Sequence, residues 1–102
     1  MAVSGQQLPN TTYKGYCRDS NHDKSNIGFI NVKDLHACHI ECKNNIDCIA
    51  FAFNSKPSFR SPNCDLYSVG QRGPYVTGTG STNIVCYVLP GNYQVLKITR
   101  NR

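Results

Sequence analysis

Between Val32 and Phe53, VKDLHACHIECKNNIDCIAFAF, the spacing of apolar positions changes period. In the first half Leu35, Cys38 and Cys42 recur at i, i+3 and i+7, with Val32 and Ile46 flanking the stripe, as on one face of a helix. Asn31 is placed to cap that helix and Asp34 suits the unsatisfied N–H groups of its first turn. Asn44-Asn45 can take the left-handed conformation that ends a helix. The spacing predicts a helix of about 12 residues. From Cys48 to Asn54 the period falls to that of a strand, Ile49, Phe51 and Phe53 alternating with Ala50 and Ala52. The stretch predicts a helix stapled by disulfides to the middle of an antiparallel sheet.

The flanking sequence supplies the rest of the sheet. Residues 1–11 are polar and contain Pro9, which reads as a flexible lead-in. Tyr13 to Arg18 and Asn26 to Ile30 read as short strands on either side of a turn, Asp19 to Ser25. Oxygen-bearing Asp19, Asn21, Asp23 and Ser25 alternate as in a calcium loop, but Lys24 and Ile30 stand where glycine and glutamate belong, so a solvated turn is expected. Ser55 to Asn63 holds two prolines and reads as a loop, followed by a strand from Cys64 to Ser68. Ser68 to Asn83 contains four glycines and no helix signal; a connection of that length is usually functional or mobile. Ile84 to Leu89 is a strand through Cys86, Pro90-Gly91 turns the chain, and Tyr93 to Thr99 can add a last strand near a basic end, Lys97, Arg100 and Arg102. The expected fold is α+β, a single helix on a curved antiparallel sheet of about five strands. The expected domain spans residues 12–90, with 91–102 as an extension.

A chain of 102 residues is one domain. At this size roughly two-thirds of the unfolded surface is buried, so covalent cross-links matter. Six cysteines in so short a chain point to disulfides and an oxidising, extracellular compartment. Zinc is the rival reading, but no C-x2-C pair exists. A site at His36, Cys38, His39 and Cys42 would leave Cys17, Cys48, Cys64 and Cys86 unexplained. Neither a metal nor a cofactor is expected. MAVSGQQLP lacks the apolar core of a secretory signal. A secreted chain is therefore expected to have lost its signal, with Met1 as an added start. No apolar run approaches the ~20 residues of a membrane span.

Six cysteines allow fifteen connectivities, and sequence alone does not choose among them. Helical geometry narrows the set. Cys38 and Cys42 lie one turn apart with parallel Cβ vectors, so each reaches off the helix. Cys48, after a short turn, is the natural partner of Cys42. Cys64 opens the strand expected beside Cys48–Asn54 and falls over Cys38. Cys17 and Cys86 then tie the ends of the sheet together.

Cys38-x3-Cys42-x5-Cys48-x2-Phe51-x-Phe53 followed by Cys64-x-Leu66 resembles the core of the PAN/apple family. Cys17 and Cys86 match the extra outer pair of its apple-type members, so the resemblance covers about residues 13–89 and implies the same pairing. It also implies a binding module rather than a catalyst. Relatives dock proteins in coagulation proteases, bind heparin in growth factors, bind galactose-type sugars in parasite adhesins and block platelet adhesion in leech proteins. One scaffold serving so many roles does not choose between them. Where the heparin-binding relatives carry basic residues, this chain has Gly28, Ile30 and Glu41, so that glycan site is not expected here.

Catalytic chemistry is not apparent. The histidines, His22, His36 and His39, accompany no free cysteine and no G-x-S-x-G, and His36 and His39 read as exposed or partly buried surface residues of the helix. Asp19, Asp23, Asp34, Glu41, Asp47 and Asp65 fall mostly in turns or at the helix start. Two surfaces are candidates for binding. One combines Lys56, Phe59 and Arg60 with Arg72 and Tyr75, cations and aromatics suited to sugars and protein anchors alike; the other is the basic C-terminal end. The sequon Asn10-Thr11-Thr12 offers a glycosylation site. A formal net charge of +5 favours an acidic extracellular partner such as a sulfated glycosaminoglycan over nucleic acid, or simply serves solubility. The expected function is extracellular recognition or adhesion through protein or carbohydrate ligands, within a larger secreted or cell-surface protein. A galactose-type or sulfated-glycan lectin and a structural matrix or inhibitor protein are the alternatives.

Overall fold

The computed structural model describes residues 8–58, 61–68 and 75–91. In chain order its elements are β1 (Thr11–Lys14), β2 (Tyr16–Asp19), β3 (Asn26–Ile30), α1 (Leu35–Asn44), β4 (Ala50–Asn54), β5 (Cys64–Tyr67), β6 (Tyr75–Thr79) and β7 (Ile84–Val88). Five strands form one antiparallel sheet in the order β1-β7-β4-β5-β3, and β2 and β6 form a separate two-stranded ribbon. The fold is α+β, with the helix on one face of the sheet and the ribbon on the other.

The helix begins later than the sequence suggests. Asp34, not Asn31, is the N-cap, accepting from the Ala37 N–H at 2.9 Å. Residues before it are held elsewhere: the Asn63 side chain accepts from Val32 N and donates to Val32 O, both at 2.9 Å. The other end also differs. Asn45 is extended rather than left-handed; its N–H donates to Cys42 O and its side chain accepts from Asp47 N at 2.9 Å. A side-chain turn thus ends the helix where a positive φ was expected.

Strand β4 occupies the centre, between β7 and β5. Its alternation sends Phe51 toward the helix and Ala50 and Ala52 toward the ribbon. Phe51 is fully buried between the rings of His39 and Tyr87, with centroids 5.3 and 5.0 Å away. His39 is therefore a core residue, 5% exposed, and not the surface histidine expected. On the opposite face the small side chains of Ala50 and Ala52 sit in one cluster with Cys17, Cys86, Tyr67 and Tyr75.

Disulfides join the layers. Cys38 and Cys42 link α1 to Cys64 in β5 and to Cys48 before β4. Cys17 in β2 bonds to Cys86 in β7 and so fastens the ribbon to the sheet.

The ribbon itself was not anticipated. Tyr13–Arg18 was expected as one strand, but Gly15 divides it. Its φ of +100° suits glycine, and a Cβ there would strike the Thr79 backbone. The chain crosses at this point from the sheet to the ribbon. The ribbon's second strand, β6, lies inside the segment 68–83 expected as a loop. The expected strand Tyr93–Thr99 lies outside the described residues.

Loop-closure entropy ranks the bridges. Cys17–Cys86 spans 69 residues, against 6 for Cys42–Cys48. Replacing the outer pair by alanine is expected to cost about 4 kcal/mol and the inner pair about 2 kcal/mol. Urea unfolding of the two double variants checks the order, and a larger loss from the inner pair would refute it.

Candidate functional site

Two strands do not cover a face five strands wide. The ribbon packs on β1, β4 and β7, and beside it the face made by β5 and edge strand β3 opens into a cleft of about 290 Å³. Tyr16 and Arg18 of β2 form one wall; Phe29 of β3 with Asp65 and Tyr67 of β5 form the sheet side; Lys24, Ser61 and Pro62 come from loops.

Each side chain is placed by local structure. Phe29 lies directly across from Asp65 in the β3–β5 register, which puts both on the uncovered face. At 59% exposure it is the most exposed large apolar side chain among the described residues. Arg18 is steadied by a 2.7 Å bond from Nη1 to Cys17 O, which uses one of its five donors. Lys24 rides on a turn built by Asp19, whose Oδ1 accepts from Asn21 N and Asp23 N at 2.8 and 2.9 Å. The oxygens that resembled a calcium loop therefore include a buried carboxylate already committed to the backbone, and the turn is structural.

Burial sets the electrostatics. Asp65 has its pKa raised because it is partly desolvated, an effect opposed by Lys24, by a long hydrogen bond from Tyr67 Oη (3.5 Å) and by Arg18. Tyr67 is raised well above the ordinary tyrosine value by burial and then by the Asp65 charge, so it remains a protonated donor. The cleft thus offers one carboxylate, two cations and exposed aromatic surface. That arrangement suits holding a ligand; it contains no nucleophile paired with a base.

The residues proposed from sequence fall differently. Tyr75 is 2% exposed, its ring packs against Tyr67 and its hydroxyl accepts from Ser25 N and donates to Ser68 O. It locks the ribbon to the sheet and offers nothing to a ligand. Lys56 is exposed, whereas Phe59, Arg60 and Arg72 lie outside the described residues, as do Lys97, Arg100 and Arg102. The loop carrying Lys56 does reach the cleft through Ser61 and Pro62. Asn10 is exposed just before β1, on the edge of the sheet opposite β3. Among the described residues no group of three metal-ligating side chains occurs, and no helix is long and apolar enough to cross a membrane.

Sequence reasoning missed Arg18, Lys24, Phe29 and Asp65 as a group because they come from four separate segments. The one available signal was Phe29 itself, a large aromatic on a short strand without an assigned neighbour.

A family model described as PAN domain matches residues 6–91. Comparison with curated proteins and with solved structures finds no match.

The raised pKa of Asp65 carries a stability consequence. Between the ordinary aspartate value and its own, the folded state holds more of the proton than the unfolded state does, so this residue's contribution declines as pH rises through that window. Asp65→Asn, which removes the charge, is expected to leave the Tm at pH 7 unchanged or higher and to flatten its pH dependence just above the ordinary aspartate range. A lower Tm at pH 7 would show that the carboxylate is a net stabiliser.

Proposed function

The chain belongs to the PAN domain family, and from that membership we propose a non-catalytic extracellular recognition module that engages its ligand in the cleft between β2 and the β3–β5 edge. Domains of this family are generally protein- or carbohydrate-binding modules of extracellular proteins. The observation that carries the reading is the exposed Phe29 ring beside Asp65, Arg18 and Lys24. An aromatic surface of that kind, flanked by donors and an acceptor, is what recognition sites use for orientation and affinity. The unit is residues 12–90, placed within a larger secreted or cell-surface protein and serving adhesion.

Binding of the oxidised chain to a glycan array and to immobilised matrix proteins, at low and high salt, tests this. Phe29→Ala with Lys24→Ala is expected to reduce whatever binding is found at least tenfold, while His36→Ala on the exposed helix surface leaves it intact. Salt-sensitive binding to sulfated glycans would mark the cations as dominant. Binding undiminished by the double variant would place the site elsewhere.

Asn10 carries an N-glycan in a secreting host. At the edge opposite β3 it leaves the cleft open. Intact mass should show the glycan, Asn10→Gln should remove it, and ligand binding should be the same for both. An unglycosylated wild-type chain, or binding that changes with the variant, would count against this placement.

A further inference from the structure

We infer that β3 is a self-pairing edge: two copies of this chain associate by antiparallel pairing of their β3 strands about a two-fold axis at Phe29, joining two five-stranded sheets into one. This goes beyond the recognition reading of the cleft and does not rest on it.

Backbone phase points to this edge. Tyr67 O accepts from Ile49 N at 2.8 Å and Asn63 O accepts from Asn54 N at 2.9 Å, so both carbonyls turn toward the β4 segment. The alternation of an antiparallel sheet then turns Cys64 and Leu66 toward β3, and Ser68 N, donating to Ser25 O at 2.8 Å, keeps the same phase. Their register partners are Ile30 and Gly28, which leaves Phe29 directing its N–H and C=O away from the sheet. Among the described residues no strand pairs with that side of β3. An outward N–H and C=O on one residue form half of a closely spaced bonded pair, and the same residue of a second copy supplies the other half.

The two edges of the sheet are finished differently. Strand β1 is polar, ends in the exposed Lys14 and follows the Asn10 sequon, features that discourage strand addition. Strand β3 has no charge and no proline, and it exposes Ile27 and Phe29 at 40% and 59%. Gly28 is also unexplained by the fold. A Cβ there would meet nothing within 4 Å, and its φ is not the left-handed one of a glycine bulge. Glycine inside a strand often marks the close approach of another backbone.

These features select a second copy as the occupant. An uncharged strand sets no like charges against each other across the axis. Directly opposite residues share a face, so the two Phe29 rings form one cross-strand aromatic pair that covers both, and the two clefts open on the same side. With β1 guarded, head-to-tail addition is blocked and assembly closes at two. The register shift between Asn26 and Gly28 keeps the pairing short. Its area falls below the ~1,200 Å² of stable complexes, so the dimer is weak, with a Kd of about 0.1–1 mM.

Sedimentation equilibrium and NMR amide exchange of the oxidised full chain, from about 20 µM to about 2 mM, test this. A monomer–dimer equilibrium is expected, strengthened by salt because each copy carries a formal net charge of +5. The Phe29 amide should exchange at least about threefold more slowly at the high concentration, whereas Ile30 is protected at both. Phe29→Lys and Phe29→Glu, at an exposed position, should each keep the folded amide spectrum and stay monomeric. Mixed in equal amounts at low salt they should form a heterodimer, because position 29 faces itself across the axis. Val76→Lys, which removes an exposed apolar side chain of the ribbon, should dimerise like the wild type. A chain monomeric at the highest concentration, a Phe29 amide protected at every concentration, a dimer that survives Phe29→Lys, or charge variants that fail to pair when mixed would overturn the inference. So would an extended valine–serine peptide that protects the Phe29 amide where a second copy does not, since the edge would then serve a foreign strand.

Discussion

The first three residues of β4, Ala50 to Ala52, are closed off from solvent on both faces of the sheet, and the rest of the molecule is arranged to keep them so. Antiparallel sheets in small domains usually leave one side to water. Here the helix and its two disulfides close over Phe51, while the ribbon closes over Ala50 and Ala52. The residue sizes differ because the layers differ. A helix needs room for bulky contacts, and Phe51 fills that space between His39 and Tyr87. The ribbon approaches closely enough for a disulfide to span from β2 to β7, and alanines permit that approach. Burying a phenylalanine stabilises by about 1.5–3 kcal/mol, a modest sum for a short chain, which is why covalent bonds accompany each layer.

Covering β4 with a ribbon has a geometric consequence. The ribbon centres on β1, β4 and β7, so the opposite side of the sheet face, at β5 and β3, is left to one wall of the ribbon and two loops. The cleft is therefore a by-product of how the core is closed. Its β2 wall is fastened to the core because Cys17, neighbour of Arg18, is bonded to β7, and Tyr75 ties β6 to Ser25 and Ser68. A recognition site placed there inherits rigid support without enlarging the domain.

What the sequence disclosed follows the same division. The helix and β4 were readable because both are periodic and share a core, and six cysteines announced three cross-links in an α+β domain. The ribbon was not readable, since Gly15 breaks a run that otherwise reads as one strand and β6 carries Gly78 where strand propensity is low. A Cβ at position 78 would meet Lys14 O, so that glycine marks a close crossing rather than a loop. The Asn31 cap was displaced for a similar reason, the partner that mattered being Asn63, thirty-one positions away. Tyr75 was taken for a surface aromatic because its segment looked like a loop; once β6 exists, its ring has a core to enter. The cleft residues were hidden together because only the width of the ribbon decides which face stays open.

The uncovered half of the sheet also shows a conflict between folding and function. For stability alone, the outermost strand would carry a polar residue at position 29 and the floor of a partly desolvated cleft would carry none at position 65. The chain has the reverse: an apolar ring held in water and a carboxylate whose pKa is raised by burial. Each placement is unfavourable in the free protein, and each becomes favourable when a ligand covers the ring and donates to the carboxylate. Such inversions are cheap to correct by single substitutions. Two of them side by side, on the β3–β5 part of that sheet face, are the features on which the proposed recognition role of the cleft rests.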